Sequence, residues 1–287
     1  MDKENRMPYR VCLVGLGLMG GSMAYALKGF RDCEIVGADS DPDVCTRVLR
    51  AGAVSRAYGD AAEAVSGASL VIFCVYPHHI PPLIRACASH FQQGAVVSDI
   101  CGVKTGLYQT LAPLIPDTID YVGAHPMAGR ERDGFENACP TLYRGSGFLI
   151  TPLPKSKPSG IALLRELADH IGAARIEVID PAHHDRIIAY TSDLMHIAAA
   201  GLCLDFHPDM TLAYTAGAFR DCTRIADINP DAWRELLLAN RDNTLEALDA
   251  YIEDLRRMRG AIARRDGATL AGLLAQAGDN KREMQGR

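Results

Sequence analysis

Val11-Cys12-Leu13-Val14-Gly15-Leu16-Gly17-Leu18-Met19-Gly20-Gly21-Ser22 decides the fold, because a run of strand formers meets glycines spaced Gly15-x-Gly17-x-x-Gly20 and then a helical pattern. That spacing suits a strand turning sharply into a helix beneath a dinucleotide. Gly15 permits the tight turn, Gly17 removes a side chain that would block a pyrophosphate, and Gly20 lets helix and strand pack closely. The first helical residues, Leu18 and Met19, present N–H groups to the anion. A glycine turn with no ligand is the competing reading, and Asp39 argues against it. It ends the next strand-like run, nineteen residues after Gly20, where a carboxylate accepts hydrogen bonds from ribose hydroxyls. A 2′-phosphate there would meet Asp39 and Asp41 together, so NAD is expected over NADP, a preference tempered by the nearby Arg47. Val75, Tyr76 and Asp99, at the ends of later runs, complete the expected cofactor contacts.

Outward from this turn, short apolar runs alternate with helical patterns: Val11 to Gly15, Glu34 to Ala38, Leu70 to Val75, Ala95 to Ser98, Ile119 to Gly123, Gly147 to Thr151 and Arg175 to Ile179. The alternation predicts an α/β fold, a doubly wound, mainly parallel Rossmann-type sheet. Pro152 to Gly160 has the composition of a linker, yet helical periodicity from Ile161 to Ile171 and a further strand follow it. Asp180-Pro181 is therefore the expected boundary between a dinucleotide-binding domain, 1–180, and an all-helical domain, 181–287. Beyond it strand signals cease, and helices rich in Leu, Ala and Ile are interrupted at Pro208 and Asn229-Pro230. Ile197 to Leu204 lacks the polar stripe of a surface helix, so burial in its own core or at a subunit interface is expected.

The formal charge of −5 makes nucleic acid and acidic membranes poor partners for the chain as a whole. Arg256, Arg257, Arg259, Arg264 and Arg265 follow Glu246, Asp249, Glu253 and Asp254 at spacings that suit a solvated, ion-paired helix face. Nine cysteines without a C-x-x-C pair give no support to zinc or thioredoxin chemistry and fit a reducing cytoplasm. The stretch Val11 to Leu27 imitates a secretory signal, ending in Ala24-Tyr25-Ala26, but Gly15, Gly17, Gly20 and Gly21 would break an export helix. No other uncharged run approaches the length of a membrane span.

Gly123-Ala124-His125-Pro126-Met127-Ala128-Gly129 places a histidine just past a strand-like run, between turn formers. In open α/β sheets ligands bind outside the carboxyl ends of the strands, so His125 is expected to be presented there as the reacting centre. A histidine capping a local turn is the alternative. His78-His79 and His183-His184 are adjacent pairs whose side chains would diverge on a helix, with no further ligand at metal spacing, and no catalytic metal is expected.

Taken together, Val14 to Ser22 and Gly123 to Gly129 make the chain resemble prephenate dehydrogenases. Ser98-Asp99, Val103-Lys104, Glu131, Gly134, His184-Asp185 and the segment Phe219-Arg220-Asp221-Cys222-Thr223-Arg224-Ile225-Ala226, with Pro230 and Trp233, extend the resemblance over nearly the whole chain. The resemblance implies oxidation and decarboxylation of prephenate to 4-hydroxyphenylpyruvate with NAD, in the route to tyrosine, by a homodimer built through its helical halves. His125 would accept the hydroxyl proton, with an apparent pKa near the ordinary histidine value of about 6.5. A buried cation is expected for a substrate carboxylate, and the resemblance puts it at Arg224; an interdomain salt bridge is the alternative, and Arg220, four residues earlier, the substitute. Ser192 and His196, at i and i+4, share a helix face and are further substrate candidates, although His196 is equally readable as a core histidine. Trp233 is a candidate pocket wall that also reads as core.

Two departures stand out. The family pattern resembles Ser-His-Leu-Pro-His where this chain has Ser192-Asp193-Leu194-Met195-His196. It also resembles Asp-Val-Gly-Ser-Val-Lys where this chain has Asp99-Ile100-Cys101-Gly102-Val103-Lys104. Gly102 offers no hydroxyl beside the histidine, leaving a water, Cys101, a backbone group or nothing as its replacement. Three other readings compete. An arogenate dehydrogenase differs only in the substrate's amine. A β-hydroxyacid dehydrogenase shares the opening Gly-Leu-Gly-x-Met-Gly but needs a lysine that 182–276 lacks. A non-catalytic NAD sensor would treat Gly102 and Asp193 as decay. Feedback by tyrosine, if present, is expected at or near the active site.

Overall fold

The structure, a computed structural model, describes residues 9–286 apart from 131, 206 and 208, so Glu131 and Pro208 lie outside the described residues. Eight strands form one sheet: β1 (Arg10–Val14), β2 (Glu34–Ala38), β3 (Arg56–Tyr58), β4 (Leu70–Phe73), β5 (Val96–Asp99), β6 (Asp120–Pro126), β7 (Gly147–Pro152) and β8 (Arg175–Val178). Their order is β3-β2-β1-β4-β5-β6-β7-β8. The first six are mutually parallel; β7 pairs antiparallel with β6, and β8 runs parallel to β7. The seven runs read from the sequence all form strands. The additional one, β3, has three residues and sits at the edge, too short to show alternation.

The helices between and after the strands are α1 (Leu18–Ala26), α2 (Pro42–Arg50), α3 (Ala61–Val65), α4 (Ile80–Cys87), α5 (Thr105–Leu111) and α6 (Pro158–His170). The central strand β4 is apolar throughout, and β1 after Arg10 and β5 before Ser98 are apolar too, as expected where both faces are covered. Leu13, Ile72 and Val122 pack on one face with Met23 and Leu167, while Val14, Phe73 and Val97 pack on the other with Ile84 and Leu111.

After β8 the described chain is helical: α7 (Pro181–Ile188), α8 (Leu194–Leu204), α9 (Gly217–Thr223), α10 (Pro230–Ala239), α11 (Arg241–Ala263) and α12 (Gly267–Gly286). Asp180 starts α7 by accepting a hydrogen bond from the His183 N–H, with Pro181 in the first turn. Asn229 caps α10 in the same way. A single π-helical stretch, Ala189–Asp193, joins α7 to α8. The resulting helix, Pro181–Leu204, is long and apolar enough to cross a membrane by length and composition alone.

Packing divides the chain into two compact units, one ending at Asn240 and one starting at Arg241. In the second, α11 carries Arg256–Glu253 and Arg257–Asp254 ion pairs on its surface, the solvated face its charge pattern predicts. In the first, the apolar end of α8 is not buried: Leu202 is 55% and Leu204 86% exposed. The described chain thus covers Ala199 and half-buries Ile197, and leaves the segment uncovered only from Gly201 onward.

Candidate active site

The glycine turn follows β1 at the carboxyl edge of the sheet. Gly15 has φ +91°, a left-handed conformation that favours glycine, and its N–H donates to the Ala38 carbonyl at 2.8 Å. A Cβ on Gly20 would lie 1.9 Å from the Gly15 oxygen, so α1 can approach β1 only with glycine there. A Cβ on Gly17 would meet nothing within 4 Å. Open space at the N-terminus of a nine-residue helix fits a diphosphate. Leu18 is buried and Met19 partly so, which leaves their backbone as the ligand-facing part.

Asp39 stands beside this turn. Its carboxylate accepts from Leu16 N at 2.8 Å and Asp41 N at 3.0 Å, fastening the glycine turn to the end of β2. Each oxygen keeps a lone pair for a ribose hydroxyl. Val75 packs against Gly15, and Tyr76 is exposed beside it.

Asp99 differs from its expected place. Its side chain is fully buried, accepting from Lys104 Nζ at 2.5 Å, Cys101 N at 2.9 Å and Tyr121 Oη at 2.8 Å. Enclosed inside the sheet with no exposed surface, its carboxylate does not reach the ligand edge to meet a cofactor. Lys104, also fully buried, donates a second bond to the Ala124 carbonyl at 2.7 Å, immediately before the histidine.

His125 lies inside β6 rather than just past it, because the antiparallel ladder with β7 continues to Pro126, opposite Phe148. The residue is partly buried rather than fully presented. Its Nδ1 is 2.9 Å from Nε2 of His184, which is buried on α7. Nδ1 of His184 is in turn 2.8 Å from Asp185 Oδ1. The Asp185 carboxylate also accepts Lys104 N at 2.9 Å and Thr105 N at 2.8 Å, satisfying the first turn of α5. Burial, then His184 and Lys104, hold the His125 pKa well below 6.5, a correction to the ordinary value expected from sequence. Burial likewise lowers His184, against the opposing pull of Asp185. Burial would raise Asp185, but hydrogen bonds from His184 and Thr105 bring it below the usual carboxylate value.

Gly102 sits on the other side of His125. A Cβ there would be 3.7 Å from Cε1, 3.8 Å from Nε2 and 3.6 Å from Leu236 of α10. Nε2 is thus the ring nitrogen that faces the missing hydroxyl. Cys101 does not replace it, since its thiol points to the Val75 carbonyl at 3.5 Å and burial drives its pKa well up.

His196 and Trp233 come together, with ring centroids 3.6 Å apart and His196 Nδ1 3.0 Å from the Ser192 carbonyl. Ser192 therefore meets His196 through its backbone. Arg224, expected buried, is exposed in the short turn that ends α9, and so is Arg220; α9 has no buried residue in this single chain. Asp193, a departure from the family pattern, is buried and accepts from Asn240 Nδ2 at 2.9 Å, while the same amide donates to the Asp185 carbonyl. The change thus has a structural use.

Sequence reasoning assigned no role to Lys104, His184 or Asp185. The signal available was a lysine, a histidine and an aspartate inside otherwise apolar stretches. His183 and His184 do diverge, one exposed and one buried, but His78 and His79 do not: their rings lie 3.8 Å apart in a short 3-10 turn rather than an α-helix. Among the described residues no cluster of three His, Cys, Asp or Glu side chains is placed to hold a metal.

Residues 23–177 match the family described as prephenate dehydrogenase, nucleotide-binding domain, and residues 180–276 match prephenate dehydrogenase, dimerization domain. A cyclohexadienyl dehydrogenase of Zymomonas mobilis is 31% identical over 264 residues, covering 90% of this chain and 89% of its own. A prephenate dehydrogenase of Bacillus subtilis is 28% identical, covering 93% and 73%. The crystal structure of a prephenate dehydrogenase from A. aeolicus, in complex with hydroxyphenyl propionate and NAD+, superposes with TM-score 0.86 at 25% identity. It covers 98% of this chain and 100% of that one.

Proposed function

Because the chain belongs to the prephenate dehydrogenase family, we propose that it catalyses the NAD-dependent oxidative decarboxylation of prephenate to 4-hydroxyphenylpyruvate, a step toward tyrosine. The observation that carries this reading is His125, held at the carboxyl end of β6 on the sheet edge that bears the glycine turn, with Nε2 facing the gap at Gly102. NAD, when bound, accepts the hydride from C4 of the substrate ring.

The protein's own residues do the rest. Gly17 and the start of α1 seat the diphosphate, and Asp39 takes the ribose and disfavours a 2′-phosphate. His125, neutral because it is enclosed beside Lys104, accepts the proton of the C4 hydroxyl as that oxygen becomes a carbonyl. The ring carboxylate then departs as CO2 as the ring aromatises. His196 and Trp233 form one wall of the substrate site, with Ser192 behind it. Arg224, with Arg220 one turn away, supplies positive charge for a carboxylate.

We also propose a homodimer joined through the helical half, where exposed Leu202, Leu204 and Tyr190 leave apolar surface uncovered in one chain. A reducing, cytoplasmic setting agrees with nine cysteines that are all free.

The test is turnover of prephenate and of arogenate, each with NAD and with NADP. Prephenate with NAD should be the most efficient pair, releasing CO2 and NADH in equal amounts. Preference for arogenate would replace the substrate while keeping the chemistry. Tight NAD binding without turnover of either diene would refute the enzyme reading.

A further inference from the structure

Resting on the assignment of His125 as the base, we propose that His184 and Asp185 are positioning residues that fix His125 in its Nδ1–H tautomer and leave Nε2 as the acceptor. Asp185 accepts two backbone N–H groups, from Lys104 and Thr105, so its oxygens act as acceptors. Only a donor can then sit 2.8 Å from Oδ1, which puts a proton on His184 Nδ1. A neutral His184 has a lone pair at Nε2, and the 2.9 Å contact to His125 Nδ1 then requires the proton on His125. Nε2 of His125 is left bare on the side where Gly102 opens space.

The alternative arrangement is a protonated His184 donating to both neighbours, which would leave His125 with its proton on Nε2 and useless as a base. Complete burial of His184 and the nearby Lys104 ammonium oppose that charge. The charged and titratable groups around His125 are Lys104 at the start of α5, Asp99 of β5 behind it, and His184 with Asp185 from α7. From α10 the neighbour at Gly102 is Leu236, which is uncharged.

Asp185 is held from several elements. Besides the two amides of α5, its carbonyl accepts from Asn240, whose amide also binds Asp193. As the substrate O–H bond breaks, its proton goes to Nε2 and its electron pair forms the carbonyl while hydride leaves C4 for NAD. The Nδ1–H stays on His125, and the Asp185 charge compensates the new imidazolium through His184.

The experiment is 15N NMR of the histidine-labelled protein with NAD bound, together with steady-state kinetics of His184→Leu and His184→Gln. His125 should show a protonated Nδ1 and an unprotonated Nε2. His184→Leu should lower kcat by about a hundredfold to ten-thousandfold with KM for NAD unchanged. His184→Gln, whose amide oxygen can accept from Nδ1–H, should keep the tautomer and recover at least tenfold over the leucine variant. A wild-type His125 protonated on Nε2 overturns the proposal, and so does a His184→Leu enzyme within twofold of wild type. Should His184→Leu not fold, the wild-type spectrum and the Gln variant decide alone. His125→Ala retaining full turnover while the wild-type tautomer is as stated would remove the base assignment and leave the tautomer argument intact, so the two failures are distinguishable.

Discussion

Replacing Lys104 by methionine should cost about 3 kcal/mol of stability, the lower end of the range for stranding one partner of a buried ion pair. The ammonium makes two short bonds, to Asp99 at 2.5 Å and the Ala124 carbonyl at 2.7 Å, and neither side chain of the ion pair reaches solvent. Methionine matches the length and volume of the stem, so the loss is the charge and its bonds rather than a cavity. Asp99 keeps bonds from Cys101 N–H and Tyr121 O–H, which is why the upper end of the range is not expected. Urea unfolding at fixed protein concentration and neutral pH, without NAD, reads the change. A thermal shift of about 6 to 12 °C should accompany it for a unit of this size. Asp99→Asn added to Lys104→Met should recover at least about 1 kcal/mol by removing the orphan charge. A Lys104→Met protein within about 1 kcal/mol of wild type, or a second substitution that only adds damage, refutes the buried pair.

His125 is held neutral, so the acid limb of kcat should fall well below pH 6.5, and Lys104→Met, by removing a cation, should move it upward; a limb at 6.5 in both proteins would contradict the enclosure described. The same lowered pKa means the unfolded chain takes a proton that the fold refuses, so stability should decline from about pH 6.5 downward, with a shallower slope in His125→Asn, as read by urea midpoints across pH. Gly17→Ala should leave the melting temperature unchanged yet weaken NAD binding at least tenfold by calorimetry. Gly20→Ala should lose both, since its Cβ meets a backbone oxygen. Gly102→Ser should fold normally, because its Cβ makes ordinary contacts, and should change the acid limb by placing a hydroxyl near Nε2; an unchanged profile would show that Nε2 does not face residue 102.

The sheet is legible because each central strand carries an apolar run, such as Leu70–Phe73, and the turns have their own chemistry, as at Gly15 and at Asp180-Pro181. Four features were not legible, because each is set by a partner and not by the residue's own type. The reversal of β7 leaves no mark in its own residues, since direction is set by its partner, and it is that pairing which draws His125 into β6. The contact between His125 and His184 joins positions 59 apart, so neither histidine's neighbours announce it. Asp99 has the residue type and position of a cofactor contact, and only Lys104 five residues on turns it inward. The resemblance points to Arg224 as a buried cation, and a single chain leaves it exposed.

The π-helical stretch at Ala189–Asp193 has a rotational consequence. His184 and His196 are twelve residues apart on one continuous helix, and at about 100° per residue an unbroken α-helix would point them roughly a third of a turn away from each other. One extra residue taken up in a wide turn removes most of that offset, because eleven residues return almost to the starting angle after three turns. The stretch thus acts as a phase corrector that lets a single rod send one imidazole to the sheet and another to Trp233. Forcing 189–193 into regular α-helical geometry with every residue kept would dephase the two ends, whereas deleting one residue there would let an unbroken α-helix hold them in phase.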